Sequence, residues 1–473
     1  MMENSDFSSS FDENKAYIDS LLHIDKSFDM IYRVVMIGGK KACFYFIDGF
    51  CKDEVLEKIL EFFYQINPKE MPETAHEFLK QKLPYGEIDL VRKENDFLQR
   101  MLSGVPMLMV DGYTEILAMD FRTYPARSVD EPEKDKVMRG SRDGFVETLV
   151  FNTALIRRRI RSTDLAMEMH TVGKSSRTDV VIAYMGSRVE KKMLEDIRQR
   201  IDSIQIDALS MNQQSLAECL YQHKWYNPFP KFKFTERPDT TAASVLEGSI
   251  AILVDNSPAA MILPTSVFDI IEDADDYYFP PVTGTYLRLS RIIINILAVV
   301  LTPLFLLLIM NPEWIPSWLE FIKIKDTIHV PIILQLLILE FAIDGLKLAS
   351  LNTPSMLSTP LSVVAGIVLG DYTVSSGWFN AEIMLYMAFV AVANYTQVSF
   401  ELGYALKFMR LMVLCLTAAF NVWGFAGGMI LVLIFIVTNR TMSGKSYIYP
   451  IIPFNRKQFL RRFCRVSLPR SEQ

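Results

Sequence analysis

The spacing of apolar and polar positions divides the chain near residue 285. Before that point apolar residues alternate with polar ones or recur at helical spacing among many charges; from 292 to 437 they run almost without interruption. The first run, 292–310 (IIINILAVVLTPLFLLLIM), carries no charge and matches the ~20 residues with which a helix crosses a bilayer core. Arg288 and Arg291 precede it and Trp314 follows it, a basic flank on one side and an interfacial anchor on the other. Further apolar segments fall at 328–350, 358–370, 381–395 and 411–437. The pattern predicts a polytopic α-helical membrane domain over 284–440, preceded by a large polar region and followed by a tail over 441–473.

Within the polar region the pattern predicts an α/β fold built of two similar small subdomains. Leu102 to Gly112 (LSGVPMLMVDG) reappears as Leu246 to Asn256 (LEGSIAILVDN), and a second apolar run follows each, at Glu115–Met119 and Ala259–Leu263. Asp-Gly and Asp-Asn tolerate positive φ, so each block reads as a β-hairpin. Upstream, Cys43–Gly49 leads into an amphipathic stretch at Lys52–Ile66, and Val180–Gly186 leads into Glu190–Ile204. Each is a strand, a glycine turn and a helix. The expected order is a flexible acidic N-terminus over 1–24, a first subdomain over 25–127, a charged linker and helix over 128–164, and a second subdomain over 165–283. The linker helix, ending near Arg161, buries Phe145, Leu149, Ile156 and Ile160 at helical spacing. Arg157, Arg158, Arg159 and Arg161 crowd its C-terminal end, where positive charge is favourable. They face either solvent, or an acidic neighbour or lipid headgroups.

Composition adds exclusions. The five cysteines and five histidines are scattered without ligand spacing, so the chain is expected to hold reduced thiols, no disulfide framework and no metal. No P-loop, GxSxG elbow, HExxH or dinucleotide fingerprint occurs, so neither enzyme activity nor a cofactor is expected. The net charge of −6 conceals a basic tail: Arg440, Lys445, Arg456, Lys457, Arg461, Arg462, Arg465 and Arg470 come before the next carboxylate, Glu472. A basic segment directly after a membrane helix belongs on the cytoplasmic face beside anionic headgroups, which makes membrane lipid the expected partner and not nucleic acid. Residues 1–14 are acidic and Ser-rich with no apolar h-region, so the polar region is expected to stay in the cytoplasm.

Two cytoplasmic ends require an even number of crossings, so one of the five apolar segments either fails to cross or crosses twice. Leu361–Gly370 (LSVVAGIVLG) is the candidate for failure, being short and bounded by Pro360 and by the polar run from Asp371. Such a segment should line a cavity. The last run is long enough for one tilted helix, with Asn421, Gly424, Gly427 and Gly428 as points at which it can break. Ionisable groups at membrane depth are costly and mark function. Glu340 and Asp344 lie one helical turn apart, Asp371 closes the short segment and Glu382 opens the next; Lys347 offers Asp344 a plain salt bridge instead. In a ring of subunits each carboxylate position becomes a ring of negative charge that attracts cations. Val363, Val364, Ile367 and Val368 are the candidate pore-lining residues, an apolar constriction that closes by dewetting.

One block ties these features to a family. Arg127 to Ile160, with Glu131-Pro132, Arg139–Phe145 (RGSRDGF), Asn152 and Arg157-Arg158-Arg159, resembles the A-subunit family of bacterial spore germinant receptors. Supporting matches are Ser244–Gly248, Asp275–Tyr278, Arg288–Arg291 and Ser362–Gly370, so the resemblance covers nearly the whole chain. Within the family, Gly370–Asn380 (GDYTVSSGWFN) and Ala393–Gln397 look most like the stage V sporulation protein AF branch. Receptor A subunits usually carry Gln-x-Ala-Val-Glu-Ala-Gly where this chain has Asp371–Gly377, which speaks against direct nutrient sensing. The resemblance implies a homo-oligomeric ring in the spore inner membrane that releases monovalent cations during germination. Its soluble subdomains and basic tail would face the spore core, beside nutrient germinant receptors and other germination membrane proteins. A non-conducting scaffold for such complexes is the alternative. A small-solute transporter is disfavoured, because the internal repeat lies in the polar half and not in the membrane half.

Overall fold

The computed structural model describes residues 6–83, 86–123, 136–221, 225–325, 328–352, 363, 366, 370 and 372–465. The chain divides into two compact units, one of residues 1–223 with 232–264, the other of 224–231 with 265–473.

The first unit repeats one arrangement of helices and strands. The first copy runs α1 (Phe11–Leu22), β1 (Met30–Ile37), β2 (Lys40–Ile47), α2 (Asp53–Tyr64), α3 (Ala75–Lys82), β3 (Ile88–Val91), α4 (Glu94–Leu102), β4 (Met107–Val110) and β5 (Ile116–Met119). The second runs α5 (Leu149–Arg159), β6 (Leu165–Val172), β7 (Thr178–Met185), α6 (Lys191–Asp202), α7 (Asn212–Leu220), β8 (Lys233–Thr235), α8 (Pro238–Leu246), β9 (Ile250–Val254) and β10 (Ala260–Leu263). Both sheets are antiparallel and five-stranded, ordered β1-β2-β4-β5-β3 and β6-β7-β9-β10-β8. In the first copy the core lies on both faces of the sheet, with Phe11, Ile18, Tyr45 and Phe97 on one and Phe44, Phe63, Phe78 and Leu117 on the other.

The repeat begins one helix earlier than the hydropathy pattern suggested. Residues 1–24, expected to be flexible, contain α1, whose Phe11, Asn14, Ile18 and Leu22 share one face and are buried. Its other face is polar, which hides the helix in the sequence. Helix α5, expected as part of a linker, holds the corresponding place in the second copy, and both are fixed by the same asparagine clasp. The Asn14 side chain accepts from the Ser8 N–H and donates to the Ser8 carbonyl; the Asn152 side chain does the same with Val146. The next carbonyls, of Ser9 and Glu147, accept from the N–H groups of Gly112 and Asn256 in the two hairpin turns. The turns at Asp111-Gly112 and Asp255-Asn256 are therefore equivalent. Gly112 and Asn256 take φ of +84° and +60°, the left-handed region that glycine and asparagine tolerate.

A buried ion pair joins the copies. Arg157 on α5 donates from Nε and Nη2 to both carboxylate oxygens of Asp29, at 2.7 and 3.0 Å, and its remaining N–H groups reach the carbonyls of Ser162 and Leu165. Both side chains are almost wholly buried. Of the environments open to this arginine cluster, Arg157 takes the acidic neighbour, and Arg159 likewise pairs with Asp143 at 2.9 Å. The RGSRDGF motif thus packs under the end of α5, with Phe145 in the core and the Ser141 carbonyl accepting from buried Arg237.

The second unit is helical: α9 (Val267–Ile271), α10 (Asp275–Tyr278), α11 (Pro281–Met310), α12 (Ile332–Asn352), α13 (Ala381–Tyr395), α14 (Phe400–Thr438) and α15 (Arg456–Phe463). Among the described residues, α11 and α14 are the helices long and apolar enough to cross a membrane. Helix α14 is two arms. Asn421 leaves helical geometry, with φ +52° and ψ −126°. Beyond it a Cβ on Gly424 would lie 1.8 Å from the Leu416 carbonyl oxygen, and one on Gly428 would lie 3.2 Å from Val413 Cα. In a straight helix residues 413 and 428 would stand roughly 22 Å apart. The chain therefore doubles back at Asn421, and two glycines let the arms approach.

Antiparallel packing gives this bundle two ends. At the tip, Asn311 and Asn421 exchange amide hydrogen bonds of 2.7 and 3.1 Å, Gln335 pairs with Asn380, and Phe379 packs with Ile322 and Leu336. At the base lie the start of α11, the start and end of α14, and α15. Helices α12 and α13 both run from tip to base, because α13 begins beside Gln335 and ends beside Lys347.

Candidate functional site

The centre of the helical unit is a ladder of charge. Glu340 and Asp344 stand one turn apart on α12; Lys407 and Arg410 stand one turn apart on the first arm of α14, which runs the opposite way. Arg410 donates from Nε and Nη2 to the two oxygens of Glu340, at 2.6 and 2.9 Å, and from Nη1 to the Ala298 carbonyl of α11 at 2.8 Å. Lys407 donates to the Glu340 carbonyl at 3.1 Å and to the Asp344 carboxylate. Glu340, Lys407 and Arg410 are buried, while the Asp344 side chain keeps 28% of its exposure. Paired and hydrogen-bonded charge is the form in which ions survive in an apolar interior, and removing one partner of such a pair costs about 3–5 kcal/mol. The ladder ties α11, α12 and α14 into one body.

The structure thus gives Glu340 and Asp344 partners on another helix. Lys347, expected as the salt-bridge partner of Asp344, instead places its ammonium over the rings of Phe400 and Tyr404, 4.5 and 4.7 Å from their centroids. Glu382 sits half-buried in the first turn of α13 at the tip, and Val363 is exposed. Val364, Ile367, Val368 and Asp371 lie outside the described residues. Sequence reasoning missed Lys407 and Arg410, because their charges pushed the start of the last apolar segment to 411. The signal was present as a pair of bases one turn apart, mirroring the pair of acids.

At the base a second network absorbs charges that hydropathy had assigned to the membrane surface. Arg291 bonds Asp276 at 2.6 Å and Asp273 at 3.2 Å; Arg288 lies 2.8 Å from Glu272 and donates to the carbonyl of Arg461. Arg462 of the tail pairs with Glu272 at 2.7 Å and with Asp269. The Asp275–Tyr278 and Arg288–Arg291 motifs are therefore two halves of one clasp, and it holds the tail helix α15 against the start of α11.

Known proteins share extended sequence similarity with this chain. The model of the family described as Bacillus/Clostridium GerA spore germination protein matches residues 17–473. Stage V sporulation protein AF of Bacillus subtilis (strain 168) is 32% identical over 458 residues, covering 97% of this chain and 92% of the relative. Spore germination protein B1 of the same organism is 28% identical, covering 90% and 88%. Spore germination protein KA, also from that organism, is 25% identical, covering 91% and 80%. The crystal structure of the N-terminal domain of the A subunit of the Bacillus megaterium spore germinant receptor GerK3 is similar at 25% identity, covering 56% of this chain and 98% of that one with a TM-score of 0.42. The charge ladder, the repeated α/β unit and the clasped tail are thus features of a chain that belongs to the GerA family of spore germination proteins.

Proposed function

We propose that this chain is a multi-pass subunit of the spore inner membrane, assembled into a homo-oligomeric channel that releases monovalent cations during germination as an auxiliary to nutrient germinant receptors. The doubling back at Asn421 carries the topology. With α11, α12, α13 and the two arms of α14 each joining base to tip, the described helices supply five traverses, and because α12 ends at the base and α13 begins at the tip the proposed count is six. Both ends of the membrane domain then fall on the base side. Arg288, Arg291, Arg440, Lys445, Arg456 and Lys457 gather there, which supports a base facing the spore core by the positive-inside rule. Tryptophans mark the opposite interface: Trp314, Trp318, Trp378 and Trp423 are all exposed at the tip. The role in germination is supported by the names of the relatives.

The pore is assigned to 361–370 around the axis of the ring. With Glu340 and Asp344 taken up by Arg410 and Lys407, the cation-attracting role is left to Asp371 and to Glu382, the latter in the first turn of α13 at the tip. Purified protein in liposomes with a potassium readout tests this. Serine at Val363, Val364, Ile367 or Val368, one position at a time, is expected to raise potassium efflux in at least one variant, and Glu382→Gln to lower preference for cations over chloride. The same neutralisation of Glu340 and Asp344 favours a second reading, a non-conducting scaffold for germination complexes. Absence of flux in the wild type and in all four variants, each shown to be inserted, establishes the scaffold and removes the channel.

A further inference from the structure

The charge ladder does not close on itself. Glu340 and Asp344 supply two negative charges against three positive ones on Lys347, Lys407 and Arg410. Arg410 is spent on Glu340 and Lys407 on Asp344, so the surplus is the Lys347 ammonium, which makes no ion pair among the described residues. It lies in a shallow, solvent-open crevice at the base, lined by Ile343, Asp344, Asn394, Tyr395, Phe400 and Tyr404. Apart from the Asp344 carboxylate, every polar side chain lining the crevice has an N–H or O–H to donate. The Asn394 amide and the Tyr395 and Tyr404 hydroxyls have no hydrogen-bond partner among the described residues, and all of them, like Lys347, can donate. The one carboxylate, Asp344, already accepts from Lys407. A surplus cation ringed by idle donors is complementary to an anion, and a basic pocket between helices at the core-facing level is where headgroups bind. Tyr395 and Phe400, exposed at the crevice, supply the amphipathic rings that settle at a headgroup boundary.

We propose that this crevice is a binding site for the headgroup phosphate of an anionic phospholipid, with Lys347 as its charge partner and Asn394, Tyr395 and Tyr404 as hydrogen-bond donors. The site rests on the membrane topology proposed above. Bound there, one lipid would neutralise the surplus charge and bridge α12, α13 and the first arm of α14. Inorganic phosphate shares the chemistry, but the apolar rings at the crevice favour the lipid.

Native mass spectrometry of the full-length protein released from nanodiscs of equal phosphatidylglycerol and phosphatidylcholine tests the assignment. The wild type is expected to keep one phosphatidylglycerol per protomer. Lys347→Met, which keeps the stem and removes the charge, should retain it about tenfold less or worse, and Lys347→Arg should retain it. Arg456→Gln with Lys457→Gln in the tail should leave it unchanged. Equal retention in Lys347→Met overturns the site, as does loss in Lys347→Arg that matches the methionine variant. A Lys347-dependent rise in melting temperature with inorganic phosphate in phosphatidylcholine alone, without phosphatidylglycerol retention, overturns the lipid as ligand. Alkaline carbonate extraction of the same membranes separates the two proposals: protein that stays in the bilayer without lipid preference sinks only the site, and protein that is extracted sinks the topology too.

Discussion

Glu168 on β6 shows how single residues in this chain make charge tolerable, and when it stops being so. Arg198 grips both its oxygens, at 2.6 and 2.8 Å, Tyr184 donates its hydroxyl, and His170 stands 3.9 Å away, too far for a hydrogen bond and so acting as a charge. Burial opposes ionisation of Glu168, but these neighbours outweigh it and hold the carboxyl at about 2. His170 is raised, by Glu168 and against its own burial, with the Asp202 carboxylate 3.1 Å from Nδ1 adding to the effect. The signs give a window. The Glu168 contribution is complete above its unfolded value near 4.5 and is lost as pH falls toward 2; that of His170 is complete below its unfolded value near 6.5 and is lost as pH rises through its higher folded value. Stability of the first unit should therefore decline above pH 6.5, and His170→Gln should remove that slope while weakening, but not abolishing, the acid limb, since Arg198 and Tyr184 still hold Glu168 down. Thermal melting of the full-length protein at a series of pH values checks this, and an unchanged alkaline slope in the glutamine variant would refute it.

At the scale of elements, what the sequence displays depends on whether the determinant is local. Hairpins at Asp111-Gly112 and Asp255-Asn256 were legible because turn chemistry resides in the turn residues themselves. Helix α1 was not, since its four buried positions lie among acidic and serine residues that resemble a solvated leader. The α14 hairpin was half legible: Asn421 and the following glycines stood out as breaks, but hydropathy is blind to direction, and an apolar run that doubles back reads like one that continues. The charge ladder was half legible for a related reason, because its acids lie inside one apolar run and its bases were placed outside another. The hairpin makes a sharp prediction. In a protein with its native cysteines replaced by serine, Val413→Cys with Gly428→Cys should form a disulfide on mild oxidation and lose two maleimide adducts until reduced, since the two positions touch. A continuous helix would hold them roughly 22 Å apart and leave both thiols reactive.

For the molecule as a whole the open quantity is which side each end occupies, and the native cysteines are unevenly suited to decide it. Cys43 is wholly buried in the first unit, so its protection from a reagent says nothing about topology; Cys464, exposed at the end of α15, does report. Ser317, exposed between Trp314 and Trp318, is its natural counterpart at the tip. The proposed six-traverse arrangement would put Cys464 with the basic clasp on the core side and Ser317 outside, because every base-to-tip helix would have to invert together for either to change sides. With the other cysteines replaced by serine, a membrane-impermeant maleimide applied to intact cells should label Ser317→Cys at once and Cys464 only after permeabilisation. Labelling of both without permeabilisation implies an odd number of traverses and removes the hairpin at Asn421 as a double crossing. Labelling of Cys464 alone keeps the even count but turns the bundle over, which would place the surplus Lys347 and the basic clasp on the outer face against the positive-inside rule.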